Sequence, residues 1–134
     1  MLLYMEKSTE ELLQFLYLSP IGLCEANFEG EINLCNAIAC NYLLSISNSS
    51  EIHNIFNLLN MAKGALGNDL KKIINNFKDE QGFIIKDKRV DFYPKDEKKT
   101  LILSIMIRKI SNDHFMWVFQ DITEVTRILK EKEI

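Results

Sequence analysis

The stretch Lys99–Thr123, KTLILSIMIRKISNDHFMWVFQDIT, contains two long apolar runs on either side of a polar turn. In the first run the alternate residues Leu101, Leu103, Ile105 and Ile107 are all apolar. Because alternate side chains of a strand point to opposite faces of a sheet, this period of two predicts a strand with one buried face. The turn predicts that the second run returns as the other strand of a hairpin.

The second run is apolar on both faces of the strand that it predicts. Phe115, Trp117 and Phe119 lie on one face, and Met116, Val118 and Ile122 lie on the other. A strand that is apolar on both faces is covered on both faces. We expect the domain's own helices to cover one face, and an N-terminal helix, a second subunit or both to cover the other.

The upstream part of the chain predicts a helix, two strands, three short helices and a third strand. Runs of strands that are separated from runs of helices favour an α+β fold with an antiparallel sheet. The expected elements are a helix from Ser8 to Ser19, strands over Ile21–Asn27 and Glu31–Cys35, helices after Asn36, Ser47–Ser50 and Asn68 or Asp69, and a strand over Phe83–Tyr93.

Polar residues ahead of helical periods predict the caps of the three short helices. Asn36 is the expected N-cap of the first, Ser47–Ser50 contains the cap of the second, and Asn68 or Asp69 caps the third, with Gly67 breaking the helix before it. Apolar spacing predicts the side of each helix that faces the core. These residues are Ala37, Cys40, Leu43 and Leu44 in the first helix, Ile52, Ile55, Phe56 and Leu59 in the second, and Leu70, Ile73, Ile74 and Phe77 in the third.

Length and composition predict one soluble domain. The chain has 134 residues, of which 47% are hydrophobic and 26% are charged, and a net charge of −3. This acidic balance argues against a nucleic-acid binder. No apolar run approaches the ~20 residues of a membrane-spanning helix, and the N-terminus has no signal-peptide pattern. We therefore expect a cytoplasmic protein without membrane insertion.

The chain contains three cysteines, Cys24, Cys35 and Cys40, all within apolar stretches. Reduced and buried thiols are the expected state in a cytoplasmic protein. Cys24 and Cys35 could lie nearly opposite each other across the first predicted hairpin. That placement is compatible with a redox pair, although inert thiols are the favoured interpretation.

Three segments occur in an order and at a spacing that are typical of one family. The first contains Ser19–Gly22, Ser-Pro-Ile-Gly, followed at 27–32 by Asn-Phe-Glu-Gly-Glu-Ile; the second is Asn36–Ala39, Asn-Ala-Ile-Ala; the third is Phe119–Glu124, which contains Asp-Ile-Thr. Together they resemble the opening strand pair, the first helix start and the exit motif of a PAS domain, over Leu12–Thr123. Asn27 departs from the pattern, because many members have Asp there.

The resemblance implies a five-stranded antiparallel sheet with short helices over one face and a small cavity between helices and sheet. It also implies dimerisation through the outer sheet face and a flanking helix. Members act as sensor or relay modules in bacterial signalling proteins such as histidine kinases and diguanylate cyclases, and the output domain follows the Asp-Ile-Thr motif. The expected organisation is a flanking helix over 1–20, the PAS domain over 21–123 and the start of a linker helix over 124–134.

The exit motif is the expected site of signal coupling. Asp121 can cap the following helix, and Glu124 lies three residues on, as in a capping box. We expect Asp121, Ile122, Thr123 and Glu124 to couple the sheet to that helix; the simpler alternative is a helix cap and nothing more. A small-molecule ligand would contact the expected cavity lining, which consists of Ile32, Ile52, Phe56, Ile74, Leu103, Ile105 and Trp117.

The residues after the exit motif predict the first turns of a coiled coil. Val125, Ile128, Leu129 and Lys132 form a seam at near-heptad spacing. The seam covers less than two heptads, so it cannot be stable alone; the alternative is a disordered charged tail. A coiled coil implies a homodimer to which an output domain is covalently linked or docked.

The chain lacks the cofactor motifs of two kinds of PAS relative. No second ligand lies in register with His53 or His114 for haem, and Cys40 is not within the Asn-Cys-Arg-Phe-Leu-Gln motif of flavin-binding relatives. The sequence therefore leaves any cofactor undefined. Two alternatives to sensing stay open. One is a PAS module used only for dimerisation, and the less favoured one is a small α+β enzyme with a cone-shaped cavity and His53 or Asp91 as its acid–base group.

Overall fold

A computed structural model of the chain describes residues 21–94 and 99–132. The predicted N-terminal helix and most of the turn before Lys99 lie outside the described residues. The elements run in the order β1 (Gly22–Ala26), β2 (Ile32–Cys35), α1 (Ala37–Ser47), α2 (Ile55–Ala62), α3 (Leu66–Asn76), β3 (Gly82–Phe92), β4 (Leu101–Ser111), β5 (His114–Asp121) and α4 (Thr123–Lys132).

The five strands form one antiparallel sheet in the order β2-β1-β5-β4-β3. The predicted α+β fold class is therefore confirmed. The side chains of β4 and β5 point to the two faces of the sheet as predicted. Leu103, Ile105 and Trp117 are buried on the face towards α1–α3. Met116 and Val118, on the opposite face, are half-buried.

Asn36 is the N-cap of α1, as predicted, and it also bonds to β1. Its side-chain oxygen accepts hydrogen bonds from the backbone N–H groups of Ala39 and Leu23, each at 2.9 Å. Its amide nitrogen donates to the carbonyl oxygen of Ile21, also at 2.9 Å. One buried side chain therefore caps the helix and fixes the helix start against the start of β1.

The buried side of α1 differs from the predicted one. The helix continues to Ser47, and its buried apolar residues are Ala39, Leu43 and Ile46, whereas Ala37, Cys40 and Leu44 are only half-buried. The reason is the close approach of Ala39 to Gly22, where an added Cβ would lie 3.0 Å from the Ala39 Cα. This contact rotates the helix so that Ala39, and not its neighbours, faces the sheet.

The second helix begins later than predicted, at Ile55, with Asn54 as its N-cap. The Asn54 side chain accepts from the backbone N–H of Phe56 at 3.0 Å, whereas Ser49 bonds to Glu51 within its own turn. The residues before the cap are extended, because the His53 carbonyl accepts from the Ile32 N–H at 3.0 Å. The predictions that the cap lies in Ser47–Ser50 and that Ile52 and His53 are helical are therefore wrong.

The third helix begins before its predicted caps, and Gly67 lies inside it. Asn68 is bonded to α2, because the Asn60 side chain accepts from the Asn68 N–H at 3.0 Å and donates to its side-chain oxygen at 3.0 Å. A Cβ on Gly67 would overlap the Phe56 carbonyl oxygen, so this glycine permits the close contact of α2 and α3. Leu70 and Ile74 are buried as predicted; Ile73 is exposed and Phe77 is half-buried.

Asn36→Ala should lower the free energy of unfolding by about 2 to 4 kcal/mol, because it removes a helix cap and leaves the Leu23 N–H without its partner. Urea denaturation monitored by circular dichroism measures this change. Asn41→Ala is the matched control, since Asn41 is exposed on the same helix. Equal effects of the two substitutions would contradict the role of Asn36.

Candidate functional site: the exit junction and a pocket beside β3

The residues that follow β5 are bonded to β4 through the backbone N–H and carbonyl of one residue, Ile102. The Ile102 N–H donates to the Thr123 hydroxyl oxygen at 2.8 Å, and the Ile102 carbonyl accepts from the Ile122 N–H at 2.9 Å. We call Ile102, Ile122 and Thr123 the exit junction. Because Thr123 is the first residue of α4, the exit junction fixes the start of that helix to the sheet.

The polar residues of the motif form only part of the expected capping box. The Asp121 carboxylate accepts from the Thr123 N–H at 2.9 Å, so it bonds to the start of α4. The Glu124 carboxylate instead pairs with Arg127, which also bonds to Glu131 at 2.8 Å. The hydrogen bond and charge of Arg127 lower the pKa of the exposed Glu124. Glu124 therefore stabilises the helix along its own surface rather than by bonding back to Asp121.

One side of α4 contacts the sheet and another side is apolar and exposed. Thr126 is buried, and its N–H donates to the Ile122 carbonyl at 2.9 Å. Val125, Ile128 and Leu129 are 57%, 42% and 57% exposed. The predicted helix is therefore present over Thr123–Lys132 with its apolar seam facing outward.

An open pocket of about 530 Å³ lies between the connection of α2 to α3 and strand β3. The Lys63 ammonium donates to the Asp91 carbonyl at 2.7 Å, and Arg89 donates to the Asp91 carboxylate at 3.2 Å. Lys88 adds a positive charge to the wall of the pocket, and Asp69 adds a negative charge. The residues lining the pocket are Lys63, Ala65, Leu66, Asp69, Lys88, Arg89, Val90, Asp91 and Tyr93.

The pocket is one cross-strand pair away from the exit junction. Asp91 on β3 is the direct register partner of Ile102 on β4. Ile102 in turn bonds to Ile122 and Thr123. One strand, β4, therefore separates the pocket from the start of α4.

The residues predicted to line an internal cavity lie in or beside the core. Phe56, Ile74, Leu103, Ile105 and Trp117 are buried, and the Phe56 ring lies edge-on to Trp117 at 5.7 Å between centroids. Ile32 and Ile52 are half-buried and pack against the core. None of the seven lines the pocket beside β3, and their role as ligand contacts stays a prediction.

Sequence reasoning did not identify the pocket residues as a group. Lys88 and Arg89 belong to the charged middle of β3, which reads as a solvated strand, and Lys63 lies some 25 positions earlier. The consecutive charged residues in the middle of β3 are the only local indication of a site, because such charges are uncommon in a strand that packs beneath helices. The strand pairing, rather than any local motif, brings these charges together.

The two histidines lie at the surface. His53 bonds to the Glu51 carboxylate at 2.7 Å, and both side chains are more than two-thirds exposed. His114 contacts the Ser111 hydroxyl at 2.7 Å and the Glu25 carboxylate at 3.7 Å. Among the described residues, no group of three or more His, Cys, Asp or Glu side chains could hold a metal ion.

The fold is that of PAS domains in two solved structures. The PAS domain of an HTR-like protein from Haloarcula marismortui superposes with a TM-score of 0.56 at 16% identity, covering 84% of this chain and 96% of that one. The PAS domain of Bordetella pertussis BvgS gives a TM-score of 0.55 at 14% identity, covering 92% of this chain and 93% of that one. The chain therefore has a PAS fold, as its sequence predicts.

The sequence matches no protein-family model and no curated protein. The likeness is therefore one of structure at low identity. None of the described helices is both long enough and apolar enough to cross a membrane.

Thr123→Val should loosen the start of α4 and lower the free energy of unfolding by about 1 to 3 kcal/mol, because the Ile102 N–H loses its acceptor. Hydrogen exchange measured by NMR should show faster exchange of the Ile102 amide. Thr126→Val on the same helix is the control. Unchanged protection of Ile102 in Thr123→Val would contradict the geometry of the exit junction.

Proposed function

We propose that this chain is a sensory and signal-relay module of a bacterial signalling protein of the histidine kinase or diguanylate cyclase type. The observation that supports this function best is the connection from Asp91 through Ile102 to Thr123. It joins a pocket that a ligand can enter to the first residue of an outgoing helix. The PAS fold, which recurs in signalling proteins, is consistent with this role.

The proposed mechanism is a shift between two arrangements of the sheet and α4. A ligand or an adjoining domain that favours one arrangement changes its population by the difference in binding free energy. Because α4 is bonded to β4 through the exit junction, the shift changes the direction in which α4 leaves the sheet. Asp121 stabilises the junction by accepting from the Thr123 N–H, and Ile122 and Glu124 support the helix start.

The proposed module is a cytoplasmic homodimer in which two α4 helices meet along Val125, Ile128 and Leu129. These side chains are exposed in the single chain, and a helix this short needs a partner to be stable. Two parallel helices in contact would convert a change of exit direction into a rotation that an output domain, linked or docked, receives.

The pocket beside β3 is the proposed site of a small polar ligand. Its walls combine three cationic side chains with two carboxylates and the apolar residues Leu66 and Val90. Arg89 and Asp91 bond to each other, whereas the side chains of Lys88 and Asp69 have no ion-pair partner among the described residues. Such a wall can orient a ligand that carries both donor and acceptor groups.

The two alternatives receive less support. A dimerisation-only module is consistent with the filled core around Trp117, but it leaves the pocket unused. An enzyme with His53 or Asp91 as the acid–base group needs that group deep in a cavity. His53 is exposed and paired with Glu51, and the Asp91 carboxylate is bonded to Arg89 at the sheet edge.

Asp121→Ala in the protein that carries the output domain should leave the fold intact and abolish the response of output activity to the signal, because α4 loses a bond at its first residue. The measurement compares output activity with and without the signal. Glu131→Ala is the control, since Glu131 lies on α4 away from the junction. A normal response in Asp121→Ala would show that this residue does not couple.

Native mass spectrometry should show a dimer, and Ile128→Asp should weaken it at least about tenfold, because a buried Ile contributes about 1.5 to 3 kcal/mol. Lys130→Asp places an aspartate on the same helix outside the seam and is the control; its larger change in net charge, −2 against −1, makes it the stricter test of a purely electrostatic effect. A bound ligand adds its mass to the same spectrum. A monomeric wild-type chain would contradict the proposed dimer.

A further inference from the structure

Three free thiols lie together where the β1–β2 hairpin meets the start of α1. Cys24 on β1 and Cys35 on β2 are direct partners in the strand register, so their side chains lie on the same face of the sheet. Cys40, in α1, places its sulfur 3.8 Å from the Cys35 carbonyl oxygen, to which it donates. Cys35 is therefore the central member of the cluster.

The backbone around Cys24 and Cys35 has the geometry that a cross-strand disulfide needs. The neighbouring residues Leu23 and Asn36 exchange two hydrogen bonds of 2.9 Å, one of them through the Asn36 side chain. Cys24 and Cys35 consequently occupy the next, non-hydrogen-bonded position, where Cα atoms are about 4.5 Å apart and side chains are closest. A disulfide accepts Cα separations of about 4.4 to 6.8 Å, so the strands need not move apart or together.

We propose that Cys24 and Cys35 are a site of reversible oxidation, at which a peroxide converts the two thiols into a disulfide that cross-links β1 to β2. Cys35 is half-buried and Cys24 is only 3% exposed, so Cys35 is the sulfur that the peroxide reaches first. Cys40 hydrogen-bonds to Cys35 but lies on α1, and it is not a partner in the disulfide.

The chemistry balances in two steps. The Cys35 thiol loses its proton and attacks the peroxide, the O–O bond breaks, and Cys35 becomes a sulfenic acid while one water leaves. The Cys24 sulfur then attacks the Cys35 sulfur, the S–S bond forms, and the hydroxyl leaves as a second water with the Cys24 proton. Two thiols are oxidised and one peroxide is reduced to two waters. A dithiol reductant reduces the disulfide back to the two thiols.

The environment makes this oxidation slow at neutral pH. The interaction with the neighbouring Cys24 thiol and burial raise the pKa of Cys35 well above its usual range. Burial and the contact with Cys35 raise the pKa of Cys40 to about 12. The thiolate is the reacting form, so the rate should rise about tenfold per pH unit as the pH increases through neutrality.

The test treats the full chain with hydrogen peroxide, blocks the remaining thiols and digests it with a protease that cleaves after Glu. Cleavage after Glu25 and Glu31 leaves Cys24 in one peptide and Cys35 with Cys40 in another. We expect a disulfide-linked pair of these peptides, one remaining free thiol of the three, and recovery of all three with dithiothreitol.

Cys40→Ser should keep the linked pair, and Cys35→Ser should abolish it. A disulfide within the single peptide that contains Cys35 and Cys40, or oxidation of thiols without any disulfide, would overturn the proposal. In the wild-type chain, fragmentation of the linked peptides locates the blocked thiol. A blocked Cys40 supports the Cys24–Cys35 disulfide, and a blocked Cys35 would overturn it, without relying on the folding of a variant. Trp117, the sole tryptophan and the register partner of Cys24, gives a second readout, because a nearby disulfide quenches its fluorescence.

Discussion

The position of β5 at the centre of the sheet is the constraint on which the rest of the structure depends. The last strand of the chain pairs with β1 on one side and with β4 on the other. Its inward side chains Phe115, Trp117 and Phe119 are each no more than 2% exposed, and the helices pack over them. The sheet cannot form as one unit until this strand is present, because β5 alone joins the β1–β2 hairpin to β3 and β4, which lie far away in the chain.

A central last strand also places the two ends of the domain side by side. Gly22, at the start of β1, is the register partner of Phe119, two residues before Asp121. Asn36 bonds to Ile21 and Leu23 at the same end of the sheet. Burial and the charge of Asp121 raise the pKa of Tyr42 on α1. Residue 21 and the start of α4 therefore lie at the same end of the sheet.

The sequence predicted those parts of the fold that depend on local periods and missed those that depend on pairing. The strand alternation of β4 and the Asn36 cap were predicted because each is visible within a few residues. The start of α2 was not predicted, since Ser50 and Asn54 are equally good caps. The bonds of His53 and Ile55 to β2 and the β1–β2 turn, which hold the residues before the helix extended, join parts of the chain some 20 positions apart. The residues around Asn60 do not indicate that its side chain bonds to Asn68 of the next helix.

The same distinction applies to the candidate site. The Asp-Ile-Thr motif was recognisable, but its partner Ile102 looks in the sequence like any other apolar strand residue. Glu124 was expected to bond backwards, and a competing local partner, Arg127, is available three residues on. Sequence spacing shows which bonds are possible, and the choice between two acceptable partners depends on geometry that only the folded chain supplies.

The pocket and the thiol cluster lie at opposite edges of the sheet, with the exit between them. The pocket contacts β3, which reaches the exit junction through Ile102 on β4, whereas the thiols join β2 to β1, which reaches β5 through Cys24 and Trp117. In the mechanism that we propose, the two sites act on β5 from different sides. Because the residues after β5 are bonded to β4 at the start of α4, neither site needs a separate connection to that helix.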